Sequence, residues 1–334
     1  MSVFEEMIEK SEEYDSHKAD HVVNLKDVTF DQVTAEIRPP STLFGVIPPL
    51  AMTDWALNQM CQKVGTLPYS YAKACPSDLR ATNLNAWAVL ADEDKRVLLR
   101  SYDQTCRAVL SGQYSPVSNT MLLEKMEDVT KDVVFAKVSH YLDADTFHGK
   151  FTIGEKPTDG NSFGVGYYIG NGEIGNRSVR VAPYVQRNSC QNSIVFLDWG
   201  IEIRHYRVST AYIWGAIKET IGQAIGKSVE AVNKFVEAEM TAIPDISKVI
   251  EDMAERYGLS LPVQKDILRG TEGKETLAAV VNGLSFAARD MENVEARIDM
   301  EALAGAILID PKAMYRKAVQ PVGVVASDEY EPAG

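Results

Sequence analysis

The sequence predicts an α+β fold: a curved antiparallel sheet in the middle, helices before it, and a long helix with a helical C-terminal region after it. Three observations carry this. From about residue 132, "DVVFAKVSHYLD", "GKFTI", "SFGVGYYIG", "RSVRVAPYVQR" and "SIVFLDWGIEIRHY" follow one another, rich in β-branched and aromatic residues with Gly, Asn and Asp between them, as in an antiparallel meander. After His205 the texture changes: Ile213, Ile217, Ile221, Ile225, Val229, Val232 and Val236 recur at helical spacing, giving one long amphipathic helix up to Pro244. Helical patterns continue at about 246–257, 262–269, 274–289 and 295–308.

Before the sheet, residues 1–20 read as a short amphipathic helix with Val3, Phe4, Met7 and Ile8 on one stripe. "RPPSTLFGVIPPLAM" must be extended or turning, because proline restricts itself and its predecessor. "TDWALNQMCQKVG" reads as a helix that Thr53 or Asp54 caps and Gly65 ends. A helix over 77–92, two short strands in "KRVLLRSYDQTCRAVLS", a loop at 112–119 and a short helix at 121–127 complete this half. The expected units are an N-terminal helix and extended segment (1–50), an α+β core (51–240), a helical C-terminal region (241–318) and an acidic, disordered tail (319–334).

Composition narrows the class. The chain has 334 residues, 45% hydrophobic and 24% charged, which suits a globular protein with ample core. No run approaches the roughly 18 apolar residues of a membrane span. The acidic start "MSVFEEMIEKSEEYDSHK" has no long apolar core, so neither a secretory signal nor a transit peptide is expected. Cys61, Cys75, Cys106 and Cys190 show no C-x-x-C spacing and read as reduced thiols of a cytoplasmic protein. The net charge of −13 is uneven. Residues 1–60 carry 11 acidic and 4 basic side chains and residues 228–334 carry 19 and 11, which leaves a centre of about +2. Solvated acidic helices account for such an asymmetry, and so does a centre that meets an anionic partner.

Two stretches spell nucleotide loops. "GNGEIG" places Gly170, Gly172 and Gly175 in a G-x-G-x-x-G pattern after an apolar run. A dinucleotide loop must open a helix at its third glycine. Here Val179, Val181 and Val185 alternate with Arg180, Ala182 and Tyr184, a period of two, and Pro183 would break a helix. The stretch is therefore read as a β-hairpin turn in which glycines and asparagines supply positive φ. "IGQAIGKS" has Ile221 where the phosphate loop needs its first glycine, and it lies within the long helical pattern. No cofactor is expected.

Catalytic signatures are equally thin. His140, His148 and His205 are isolated, and His17 and His21 form an H-x-x-x-H pair with no evident third ligand. Asp92/Asp94 and Asp143/Asp145 are D-x-D spellings at polar junctions that lack the further ligands of a two-metal site. No G-x-S-x-G elbow occurs. These signs favour a non-enzyme with neither metal nor cofactor, and an enzyme whose site gathers ligands from distant segments is a further alternative.

Arginine stands out instead. Arg177, Arg180, Arg187, Arg204 and Arg207 fall close together, interleaved with Tyr167, Tyr168, Tyr184 and Tyr206 and opposed there only by Glu173, Asp198 and Glu202. If the valine face of the strand is buried, Arg180, Ala182 and Tyr184 share the other face. Guanidinium groups beside aromatic rings suit single-stranded nucleic acid, with bases stacking at about 1–3 kcal/mol each. The same arginines would also serve as internal partners for carboxylates on the acidic helices.

"LNAWAVLADEDKRVLLRSYDQTCRAVLSGQYSPVSN", "GVGYYIGNGEIGNRSVRVAPYVQRNSCQNS" and "RHYRVSTAYIWGAI" together resemble a domain-of-unknown-function family found in phage- and plasmid-encoded proteins, over roughly residues 50–240. The matching positions are Arg107-Ala108-Val109-Leu110-Ser111 with Tyr114, Asn171-Gly172-Glu173-Ile174-Gly175, Arg187 with Cys190 and Asn192, and Arg204-His205. Gly172 stands where the family usually has serine, and Ser193 where it usually has glycine. The resemblance implies a mobile-element origin, and it adds Arg107 to the candidate contacts. A curved antiparallel sheet backed by a long helix also resembles the single-strand annealing proteins of the Redβ/RecT type, which form rings or filaments without ATP. The expectation is thus a homo-oligomeric single-stranded-DNA-binding protein of recombination, with Arg107, Arg177, Arg180, Tyr184, Arg187, Arg204 and Arg207 as contacts. A self-assembling structural phage protein without DNA-binding activity is the alternative.

Overall fold

The computed structural model describes residues 3–41, 46–65, 67–159 and 161–315. The fold is α+β, with two principal sheets. Helix α1 (Glu5–Ser16) buries Phe4 and Met7, as its stripe predicts, but Val3 stays 44% exposed. It ends earlier than expected, and strand β1 (Lys18–Asn24) follows, then a small hairpin of β2 (Thr29–Phe30) and β3 (Ile37–Arg38). Strand β4 (Ala51–Met52) leads into α2 (Asp54–Val64). Thr53 caps this helix by accepting a hydrogen bond from the Ala56 amide at 3.1 Å, and Gly65 ends it at φ +119°. Helices α3 (Tyr69–Ala74) and α4 (Ser77–Ala88) precede the paired strands β5 (Arg96–Tyr102) and β6 (Thr105–Ser111). The first sheet runs β1-β5-β6-β4, antiparallel except for β4 on β6, and closes on α2 and α4 through Leu57, Met60, Leu84, Val97 and Val109.

Helix α5 (Asn119–Thr130), capped by Ser118, connects to the larger antiparallel sheet. Its strands are β7 (Lys137–Leu142), β8 (Thr146–Thr158), β9 (Asn161–Gly172), β10 (Val179–Arg187), β11 (Ser193–Val195) and β12 (Ile201–Ile203). The order is β11-β10-β9-β8-β7, with β12 also paired to β10. Helix α6 (Thr210–Glu239) covers one face: Ile213, Ile217 and Ile221 meet Phe147, Phe151, Tyr167, Ile169 and Val181, while Val232 and Phe235 meet Phe163, Val165 and Val185.

The chain then forms α7 (Ile246–Tyr257), α8 (Leu261–Gly270), α9 (Leu277–Arg289) and α10 (Val294–Ile309). These helices do not form a separate appendage. Leu284 and Ile307 share a core with Phe196 and Val185, and Ile298 of α10 packs on Tyr168, Ala182 and Tyr184 on the sheet's second face. Both faces of β9 and β10 are therefore buried. That arrangement decides the fate of the predicted binding face. The tail expected at 319–334 lies outside the described residues. Among the described residues no helix is long and apolar enough to cross a membrane.

Candidate nucleic-acid interface

The G-x-G-x-x-G stretch is the tip of the β9–β10 hairpin, with Gly170 opposite Arg180. Of its glycines and asparagines only Gly175 has positive φ, +76°. Gly170 and Gly172 lie within the strand and are required by close approach instead: a Cβ there would sit 2.2 Å from the Tyr168 hydroxyl or from Asn176 Oδ1. The tip drives Glu173 into the seam between the two sheets, where it is fully buried. Its Oε1 accepts from Lys18 Nζ at 3.0 Å and from the Asn119 amide at 2.7 Å, and its Oε2 from Arg107 Nη2 at 3.0 Å. Arg100 donates to the Glu173 carbonyl at 2.5 Å and to Asp20 at 2.8 Å. Arg107 also reaches Asp145 at 2.5 Å. Burial raises the Asp145 carboxyl, and the charge of Arg107 pulls the other way.

Arg107 therefore does not face a ligand: it is 3% exposed and engaged on both sides by carboxylates. Tyr184 is 1% exposed between the sheet and α10, so it offers no stacking face. Arg177 pairs with Glu295 and with Asp299, the latter at 2.9 Å. Burial would raise the Glu295 carboxyl, but His148 and Arg177 beside it hold it below its usual range. Arg180 meets Glu202 across the β10–β12 pair at 3.2 Å. Arg187 donates to Asn161 at 3.0 Å and to Asn282 at 3.4 Å, and Asn282 is also bonded to Asn192. For Arg177 and Tyr184 the cause is α10, which lies on the face opposite the valines and presents Glu295 and Asp299, one turn apart, to Arg177.

Arg204 and Arg207 are placed differently. Both are exposed, and among the described residues neither has a carboxylate within ion-pair distance. They flank His205, which turns inward and stacks on Tyr114 at 5.0 Å. His205 Nδ1 lies 3.2 Å from the Ser115 carbonyl, and the Ser115 amide donates to the His205 carbonyl at 3.0 Å. Burial lowers the His205 pKa. On this anchor the chain turns outward. Arg207 takes φ +51° and its guanidinium lies over the Tyr206 ring at 5.3 Å. The Tyr206 hydroxyl donates to Gln113 at 2.5 Å, which fixes the ring while leaving it 52% exposed. Helix α6 begins at once behind, with Ser209 as its cap, no acidic residue in its first turn, and Tyr212 62% exposed. Two exposed cations and two exposed rings thus fall within residues 204–212, at the N-terminal end of α6.

The sequence reading did not single out Tyr212, although it falls off the Ile213–Ile217–Ile221 stripe and so belongs to the exposed side of the helix. It had no means of finding Glu173 as a hub, because its partner Lys18 is 155 residues away. The resembling stretches do meet in space: Arg107 bonds Glu173, Tyr114 donates to the Gly172 and Glu173 carbonyls at 3.3 Å, and Tyr114 stacks on His205. Among the described residues no three His, Cys, Asp or Glu side chains are grouped to hold a metal ion. Compared with known proteins, the chain matches no family model, no curated protein and no solved structure.

Proposed function

We propose that this chain binds single-stranded nucleic acid at the corner formed by Arg204, Tyr206, Arg207 and Tyr212, and that it serves strand annealing in the cytoplasm of a host cell as a homo-oligomer encoded by a mobile element. The observation that carries the reading is the Arg207–Tyr206 stack: a cation without a carboxylate partner lies over an aromatic ring that remains half exposed. Such a pair supplies both contacts a flexible strand needs, a charge for phosphate and a platform for a base. The first turn of the 30-residue helix α6 adds a positive dipole end with no acidic side chain against it. The annealing role rests further on the resemblance to the single-strand annealing proteins.

Fluorescence anisotropy with a labelled single-stranded oligonucleotide at low salt tests the reading. Binding that weakens as salt rises supports it; no binding at low salt refutes it.

One observation favours the alternative of a self-assembling structural protein. Strand β7 ends the larger sheet, its residues are mostly exposed, and its outer edge has no partner strand among the described residues. An open edge of this kind can accept a strand from another copy. Particles that form without nucleic acid, in a protein that binds no oligonucleotide, would decide for that reading.

A further inference from the structure

A cavity of about 240 Å³ lies between the outer face of β7 and β8 and helices α9 and α10, and it shares no residue with the 204–212 corner. Its wall includes Lys150, Arg289, Arg297 and Glu301, with the hydroxyl side chains of Ser139 and Ser193 beside them. Lys150 and Glu301 compensate each other, with Nζ 2.5 Å from Oε1. Arg289 sits at the rim, bonded to Asp290 at 3.0 Å. Arg297 has no carboxylate partner among the described residues, and its buried Nε makes no hydrogen bond. Glu301 is 2% exposed, and its Oε2 is likewise buried without a partner.

Two residues that line one cavity thus each carry a buried polar atom without a partner. Each such buried group is costly, and folded proteins leave few of them. Water could occupy a polar space of this size, but it would not answer the positive charge of Arg297, which has no carboxylate partner among the described residues. The wall calls for a molecule that is anionic at one end and donates a hydrogen bond at the other. The Arg297 guanidinium, with the Nη1 of Arg289 that Asp290 leaves unused, offers several donors, and these suit the charge and the acceptor oxygens of a phosphate group better than those of a single carboxylate.

We propose that this cavity binds a small phosphomonoester that carries a hydroxyl group, with its phosphate on Arg297 and the free Nη1 of Arg289 and its hydroxyl donating to the Glu301 carboxylate. The same chemistry could come from a free metabolite or from the 5′-phosphate end of a nucleic-acid strand. Calorimetric titration of the full chain with glycerol 3-phosphate, n-propyl phosphate and a 5′-phosphorylated or unphosphorylated oligonucleotide separates these sources.

Glycerol 3-phosphate is expected to bind about tenfold more tightly than n-propyl phosphate, which lacks the hydroxyl, the difference expected of a hydrogen bond to a charged acceptor. Arg297→Gln should abolish this binding while the melting temperature of the unliganded protein stays unchanged or rises, because an orphaned group has been removed. If the strand end is the source, the 5′-phosphate should tighten oligonucleotide binding in the wild type and not in R297Q. No binding of any phosphomonoester, or equal binding by R297Q, would overturn the proposal. Either result leaves the 204–212 corner to its own test, since R297Q does not touch it.

Discussion

Arg107 Nη2 lies 3.0 Å from Glu173 Oε2, and the two side chains are 3% and 0% exposed. One belongs to the first sheet and the other to the hairpin tip of the second, so this ion pair fastens the two sheets together. Glu173→Gln keeps the shape but leaves Arg107 and Lys18 facing a neutral amide in a buried seam. Removing one partner of a buried pair costs about 3–5 kcal/mol. The urea midpoint should therefore fall sharply, and an unchanged midpoint would show that the seam does not depend on this contact.

At the 204–212 corner the opposite outcome is expected. Arg204→Ala with Arg207→Ala removes two exposed cations that have no internal carboxylate, so the melting temperature should barely move. Oligonucleotide affinity should fall, and the slope of log affinity against log salt should drop by about 1.4, at about 0.7 for each lost phosphate contact on a single strand. Arg177→Ala, by contrast, should destabilise the fold, because it leaves Glu295 and Asp299 of α10 without the cation that joins them to the sheet.

The contrast between these arginines marks what was legible in the sequence. Periodicity placed α6, α7, α9 and α10 closely, and alternation placed β8 to β10, because each pattern records burial along a single element. The GNGEIG hairpin was legible for the same reason: a period of two on both sides leaves no helix for a cofactor loop. Which face of β10 stays wet was not legible, since it depends on α10 arriving more than 100 residues later. The sequence offered both readings of the arginines, nucleic-acid contact and internal ion pair, and for Arg107, Arg177 and Arg180 the partners are carboxylates. Strand β1 was missed because only Val23 of its seven residues is buried, so it carries no alternation to read.

The anchor of the corner makes stability depend on pH. Burial lowers the His205 pKa, more than the bond to the Ser115 carbonyl raises it. Above about pH 6.5 the ring is neutral in both folded and unfolded chains, and its full contribution is present. As pH falls below that value the unfolded chain takes up a proton that the folded one resists, so stability is lost on the way down to the folded pKa. His21 and His140 are lowered in the same direction and share in the fall. His205→Phe keeps a ring against Tyr114 and removes the titrating group. Denaturant midpoints from pH 7.5 to 5.5 should decline in the wild type and decline less in H205F, and identical slopes would remove His205 from the account.

Thiol reactivity follows from the same burial. A thiol reacts as its thiolate, so what matters is both access and the cost of the charged form. Burial pushes the Cys61 pKa up to about 11 and that of Cys106 to about 12, each side chain being enclosed in the core of the first sheet. At pH 8 their thiolate fractions are then only about one in a thousand and one in ten thousand, against roughly a quarter for an unperturbed thiol near 8.5. Cys75 is buried as well, whereas Cys190, in the loop between β10 and β11, is partly exposed. Brief alkylation of the native protein with iodoacetamide at pH 8, read by peptide mass spectrometry, should modify Cys190 first and leave Cys61 and Cys106 intact until urea is added. Equal labelling of Cys61 and Cys190 in native conditions would mean that α2 opens from its sheet faster than the reagent reacts, and the packing around Thr53 and Met60 would then have to be far looser than a closed core allows.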